Sequence, residues 1–258
     1  MMIDRRSFLT TLLAGMTTPA LASTERTLGL IFPVPRSVPP EAHSMYPSGL
    51  RYLVADVGLT RLTPQGYDQV LDRIAPAAAK LAAQGAEAIA LLGTSLSFYQ
   101  GAAFNRSLTE RIARASGRPS VTMSTAVVEG LRSVGGRRVA VATAYNDEVN
   151  ERLRTFLGEE GFDVLVVRGL GIEKVEDVET VTQDTLIDFS VSVFESAPQC
   201  DSLLISCGGL RTLELLEPVE RRCGVPVVSS LPHALRAGVR LLGLSGRAPG
   251  YGKLLAMG

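Results

Sequence analysis

The stretch DSLLISCGGLRTLE, residues 201–214, sets a thiol between a buried run and two glycines. Leu203, Leu204 and Ile205 read as a core strand, Gly208 and Gly209 as a tight turn, and Leu210 onward as a helix. A Ser or Asn at that turn would cap a helix with no risk of oxidation, so Cys207 calls for a chemical reason. An ordinary thiol, with a pKa of ~8.5, keeps its proton at neutral pH and can serve as a general acid. Use as a nucleophile requires a base, and His43 and His233 lie far away in sequence without a pairing motif. The plainer alternative is a buried, inert cysteine. For Cys200 and Cys223 that plainer reading, a small apolar side chain, is preferred.

Three other apolar runs end in the same way. ALLGTSLS stops at Gly93, Thr94 and Ser95, VTMST at Ser124 and Thr125, and VAVATAY at Thr143, Ala144 and Tyr145. In open parallel sheets, ligands bind outside the carboxyl ends of the strands. Helices that begin there offer free N–H groups to an anion. Hydroxyls, a thiol and bare backbone at four such ends describe a cleft for a small anionic group, built without Lys or Arg. For Thr94 and Ser95 helix capping is the competing role.

The elements needed to bring these ends together are legible as an alternation. Strand-like runs at 27–34, 86–93, 119–125, 137–145, 162–171, 201–209 and 225–230 are separated by helical spacing at 67–85, 104–117, 126–135, 146–161, 185–198 and 212–224. Strict alternation predicts parallel sheets with helices on both faces. The expected fold is α/β: two Rossmann-like parallel-sheet domains in a pseudo-twofold relation, with the site in the cleft between them. The boundaries are 24–134 for the first domain and 135–231 for the second, with the terminal segment 232–258 packing back on the first.

Composition excludes several functions. Of the 258 residues, 46% are apolar, enough for a sizeable core, and 26 Lys and Arg balance 26 Asp and Glu. Zero net charge and the absence of Trp argue against a nucleic-acid binder, which needs a basic stripe or a stacking platform. Two histidines and three cysteines show no metal-site spacing, so no metal is expected.

The N-terminus, MMIDRRSFLTTLLAGMTTPALAS, carries paired arginines at Arg5 and Arg6, a short apolar stretch, and a small-x-small site at Ala20–Ala22. It reads as a twin-arginine export signal cleaved after Ala22, with a frayed helix as the alternative. The apolar part is shorter than the ~20 residues a bilayer span needs. No lipobox cysteine follows. The expected mature protein is periplasmic, delivered by the twin-arginine machinery and free of a stable membrane anchor. A monomer is the default expectation.

Four motifs carry a family resemblance: GTSLSFYQGAAFN (93–105), TMSTAVVEGLR (122–132), ATAYNDEVNERL (142–153) and SCGGL (206–210). With the RAPGYGKLL tail (247–255), the chain from about Leu28 resembles the arylmalonate decarboxylases of the aspartate/glutamate racemase superfamily. The resemblance implies a decarboxylase of disubstituted malonates that needs no metal and no organic cofactor. It implies that Thr94, Ser95 and Tyr145 donate side-chain hydrogen bonds to the retained carboxylate, joined by backbone N–H groups of Ser95 and Gly208. It places Pro33, Leu59, Leu62, Leu96, Val175 and Val178 near the departing carboxylate or the aryl group. It makes Cys207 the proton donor. Racemases of the superfamily use two cysteines, and the first would fall at Gly93. One proton carrier cannot work both faces of a carbon, which argues against a two-base racemase and weakens a maleate-type cis–trans isomerase. A periplasmic dicarboxylate-binding protein is the third reading, although such proteins usually bind carboxylates with Arg.

Overall fold

The computed structural model describes residues 25–257. The export signal read at residues 1–22 lies outside them. Two four-stranded sheets form the framework. The first holds β1 (Arg26–Phe32), β2 (Leu50–Asp56), β3 (Ala88–Leu91) and β4 (Ser120–Thr122) in the order β2-β1-β3-β4. The second holds β5 (Arg138–Thr143), β6 (Asp163–Gly169), β7 (Ser202–Ser206) and β8 (Val227–Ser229) in the order β6-β5-β7-β8. Every strand pair is parallel. The two orders match strand for strand, so the fold is the pseudo-symmetric pair of α/β halves that the alternation predicts. Gly93, just past β3, and Cys207, just past β7, occupy equivalent places.

Among the described residues twelve helices accompany these strands: α1 (Pro40–Met45), α2 (Pro64–Asp68), α3 (Leu71–Ala83), α4 (Thr94–Phe98), α5 (Gly101–Ser116), α6 (Met123–Ser133), α7 (Asp147–Glu159), α8 (Val175–Val178), α9 (Gln183–Glu195), α10 (Leu216–Cys223), α11 (Ser230–Leu241) and α12 (Lys253–Ala256). The inner strands β3 and β7 are buried along their whole length, as strands covered on both faces must be. Helix α11 returns to the first sheet, against β3, β4 and α6. Gly238 permits this close approach, because a Cβ there would meet Leu28 Cδ2 at 3.0 Å. Helix α12 instead sits by β8, with Leu254 against Gly130 of α6. No helix among the described residues is long and apolar enough to cross a membrane.

Several elements differ from the sequence expectation: the strand read at 119–125 ends at Thr122, with Ser124 and Thr125 already in α6, and the short helices α1, α4 and α8 are additional. Strand β2 was not anticipated, because it is an edge strand in which Arg51, Tyr52 and Asp56 break the apolar run. The single helix expected at 67–85 is two, α2 and α3. The helix expected to follow Gly209 begins only at Leu216. Pro218 explains the delay. It lacks an N–H and is accommodated best in a first turn, and it sits third in α10. Cys207 therefore stands on a turn, closed by Leu210 N–H donating to Cys207 O at 3.2 Å, and not at a helix start.

Candidate active site

A cavity of about 500 Å³, counting its open mouth, lies at the carboxyl ends of β1, β3 and β7. Its wall brings together Cys207, Gly208, Gly93, Thr94, Ser95, Pro33, Leu59, Leu62, Val175 and Val178, from segments up to 175 positions apart in the chain. Two expected residues are not on that wall. Leu96 is fully buried one layer behind Gly93: its Cβ lies 3.2 Å from where a Cβ on Gly93 would stand. All of α4 is buried, and of its residues Thr94 and Ser95 line the cavity whereas Leu96 does not. Tyr145 also stands behind the wall, edge-on to Phe98 with ring centroids 5.8 Å apart. Its hydroxyl reaches the region of Thr94, Ser206 and Cys207.

Glycine is required in the SCGG turn for space rather than for a left-handed backbone. Neither Gly208 nor Gly209 has a positive φ. A Cβ on Gly208 would approach Met123 Sδ at 2.9 Å, and one on Gly209 would approach Val178 Cγ1 at 2.9 Å. The turn is pressed between α6 of the first half and α8 of the second.

The hydroxyls divide into structural and free sets. Thr94 and Ser95 do not cap α4, whose N-cap is Gly93 with no side-chain bond. Ser97 Oγ donates 2.9 Å to Gly93 O or Thr94 O and lies 2.7 Å from Ser124 Oγ. Ser124 Oγ in turn donates to Thr94 O at 2.9 Å. Thr122 caps α6, and Thr125 is bonded to Asn105, so the VTMST ending supports the site without reaching it. Thr143 is likewise used up, donating 2.6 Å to Asn150 Oδ1. By contrast, the buried hydroxyls of Tyr67, Tyr145 and Ser206 have no hydrogen-bond partner. Ser95 lines the cavity beside the Tyr67 hydroxyl. An unpartnered buried hydroxyl costs about 1–3 kcal/mol, and these three cluster around one thiol. A ligand rich in acceptors would offset that cost, and a carboxylate offers about four lone-pair sites.

Tyr67 was not found in the sequence. It is fully buried at the end of α2, stacks edgewise on Tyr99 at 5.0 Å, and has Ser95 and Cys207 as polar neighbours. No local motif marks it, since it reaches the site only through tertiary packing, its ring set against Tyr99 at the end of α4. The cavity also uses Phe32, Val34, Leu92 and Arg36. Arg36 corrects the expectation of a cleft without Lys or Arg: it is the one charged side chain on the wall among the described residues. It pairs with Glu179 at 2.6 Å, across the mouth from the first half to the second. A second cross-link flanks the cavity, Arg61 to Glu173, with Leu62 N–H donating to Glu173 O at 2.8 Å.

Burial pushes the Cys207 thiol above its ordinary pKa, against the weaker pull of the Gly209 N–H, the Tyr145 hydroxyl and the Arg36 charge. Cys207 is therefore a protonated thiol at neutral pH. Burial likewise raises Tyr67 and Tyr145, which remain neutral donors. His233 is held neutral, its pKa lowered to about 4 by burial, with Nδ1 2.7 Å from Ser229 O. Cys200 and Cys223 are free and their pKa values raised by burial. No group of three metal-ligating side chains exists among the described residues.

Comparison with known proteins agrees with this geometry. The sequence model described as arylmalonate decarboxylase matches residues 28–255. The arylmalonate decarboxylase of Bordetella bronchiseptica is 50% identical over 230 residues, covering 88% of this chain and 95% of that protein. A liganded arylmalonate decarboxylase double mutant, with one glycine changed to cysteine and one cysteine to serine, superposes with a TM-score of 0.85. It is 48% identical, covering 89% of this chain and 98% of that one. Its two altered positions are as far apart in sequence as Gly93 and Cys207. A maleate isomerase of Nocardia farcinica is 33% identical, over only 50% of this chain and 51% of its own. By its sequence over nearly the whole described length and by its fold, the chain belongs to the arylmalonate decarboxylase family.

Proposed function

We propose that the protein is a cofactor-independent decarboxylase of disubstituted (aryl)malonates, yielding a single enantiomer of the monoacid. The observation that carries this reading is the protonated, buried Cys207 set among unpartnered hydroxyls and opposed, at the equivalent strand end, by a glycine. The malonate dianion loses one carboxylate: the carbon–carbon bond breaks, carbon dioxide leaves, and its electron pair stays on an enediolate. Thr94, Ser95, Tyr145 and Tyr67 donate hydrogen bonds to the retained carboxylate, whose charge grows in the transition state. Donors preorganised for developing charge are worth about 3–4 kcal/mol each. The departing carboxylate faces Pro33, Leu59, Leu62, Val175 and Val178, where little solvates it. Cys207 then gives its proton to carbon, and the thiolate regains one from water. A two-base racemase would need a second thiol at Gly93.

The test is carbon dioxide release from phenylmalonate-class acids in the presence of EDTA. Wild type is expected to turn over, Cys207→Ala to lose product formation while staying folded, and Cys200→Ala and Cys223→Ala to remain active. Loss of turnover on chelation, restored by a divalent ion, would overturn the reading, and ligand binding without turnover would favour a dicarboxylate-binding protein. Residues 1–22 support export by the twin-arginine pathway to the periplasm, where the enzyme acts as a monomer. Signal cleavage after Ala22 and the mass in solution test these two points.

A further inference from the structure

We infer that Glu179 is a positioning residue that ties the Arg36 guanidinium to the rim of the cavity and so keeps a cation off the departing carboxylate. The inference rests on the decarboxylase reading above. Arg36 lies in the loop after β1, three positions past Pro33 of the apolar wall, and Glu179 directly follows Val178 of the same wall. Arg36 Nη2 donates to Glu179 Oε1 at 2.6 Å. The arginine is the inner member of the pair, with 20% of its side chain exposed against 62% for the glutamate. Arg36 lines the cavity itself, whereas Glu179 lines the recess beside it, with Glu41 and Arg211. The cation thus stands in the wall of the site and its anchor stands outside.

The chemistry makes that placement matter. A guanidinium is charged at every working pH, and its planar fork matches a carboxylate. Arg36 is close enough for its charge to act on the Cys207 thiol, so a carboxylate beside the thiol is within its field. The departing carboxylate starts as a full anion and ends as neutral carbon dioxide. A cation paired with it stabilises the bound substrate and loses its partner as the carbon–carbon bond breaks. Only interactions that strengthen in the transition state speed the reaction. A free Arg36 would therefore tighten binding and slow the chemistry. Glu179 gives the guanidinium another carboxylate to hold, and the dianion then meets Pro33, Leu59, Leu62, Val175 and Val178 instead.

Joining the two halves is a weaker account of the pair. An ion pair at a wet rim adds little to stability. The Arg61–Glu173 pair already links the same halves, and Arg61 is not on the cavity wall. The two pairs are therefore a matched set for experiment: breaking either unties the halves at one point, but only breaking Arg36–Glu179 releases a cation into the site.

The experiment measures kcat and KM for carbon dioxide release from phenylmalonate in wild type, Glu179→Ala, Glu173→Ala and the double variant Glu179→Ala with Arg36→Gln. Glu179→Ala is expected to lower kcat and KM together, each about 10-fold, the scale of one hydrogen bond to a charged group, leaving kcat/KM within about threefold. The double variant is expected to regain most of the lost kcat, because no cation is left to release. Glu173→Ala must not lower KM. A kcat that holds in Glu179→Ala would mean that Glu41 or water restrains Arg36 as well, and a kcat that rises would mean that Arg36 serves the retained carboxylate; either overturns the inference. So does a double variant as slow as Glu179→Ala, or a parallel fall of kcat and KM in Glu173→Ala, since both mark a structural tie. Phenylmalonate affinity is read on the same variants by calorimetry. Wild type that binds phenylmalonate without releasing carbon dioxide would overturn the decarboxylase reading, while tighter binding in Glu179→Ala, reversed in the double variant, would still decide whether Glu179 restrains Arg36.

Discussion

Replacing Tyr145 by phenylalanine separates stability from catalysis. In the unliganded protein the Tyr145 hydroxyl is buried with no hydrogen-bond partner. Its removal relieves a desolvation cost of about 1–3 kcal/mol, less the small packing loss of one atom. A net gain of about 1 kcal/mol raises Tm by about 2–4 °C for a chain of this size. The same hydroxyl is assigned to the growing charge of the enediolate, where the loss of one donor lowers kcat by about 10²–10³. Tyr145→Phe should therefore melt higher and work slower. Calorimetry of the unliganded variant, with carbon dioxide release measured on the same preparation, reads both quantities. A lower Tm would mean that the hydroxyl has a partner in the folded protein. Unchanged kcat would mean that it does not face the reacting carboxylate. Either result refutes the reasoning that an unpaired buried donor is kept here for the substrate.

Moving the thiol, with Gly93→Cys plus Cys207→Gly, should reverse the handedness of the product at lower rate, read by chiral chromatography; unchanged handedness would show that Cys207 does not select the face. The rate should be reduced because a Cβ at Gly93 meets Pro33 Cγ at 3.0 Å and Leu96 Cβ at 3.2 Å, so both must yield by a few tenths of an ångström. Because the acid form of Cys207 is the active one and burial raises its pKa, kcat should hold through neutral pH and fall only above the ordinary thiol value of ~8.5; a descending limb below pH 7 would contradict this. His233 titrates at about 4 in the folded protein and at about 6.5 unfolded. Its folded pKa is depressed, so its contribution is full above about pH 6.5 and is lost as pH falls towards 4. This amounts to about 3 kcal/mol, and the acid-side fall in Tm should be shallower in His233→Gln.

The sequence by itself determined the alternation of strands and helices, and hence two parallel sheets. Ala88–Leu91 is apolar throughout and Ser202–Ser206 is apolar at Leu203, Leu204 and Ile205, and no exposed element could carry such runs. It also determined which strand ends matter, because Gly93-Thr94-Ser95 and Cys207-Gly208 set chemistry on residues immediately after such runs. Pro218 could have dated the start of α10, since proline restricts where a helix can begin. The edge strand β2 escaped because half its side chains face water and its pattern is not that of a core strand.

Only the tertiary structure decided which hydroxyls are free. Thr122, Ser124, Thr143 and Ser95 look alike in sequence, yet three are consumed by Asn105, Thr94 O and Asn150 and one lines the cavity. Tyr67 and Ser230 join the site from 140 residues or 23 residues away from Cys207, with no motif to announce them. Arg36 reaches the mouth because the loop after β1 folds across to Glu179 of the other half. Leu96 has the right type for an apolar wall, but the turn of α4 sends it inward. The physical reason is the same in each case. Strand and helix formation follow from local periodicity, whereas the partner of a polar group is set by whichever distant segment packs against it.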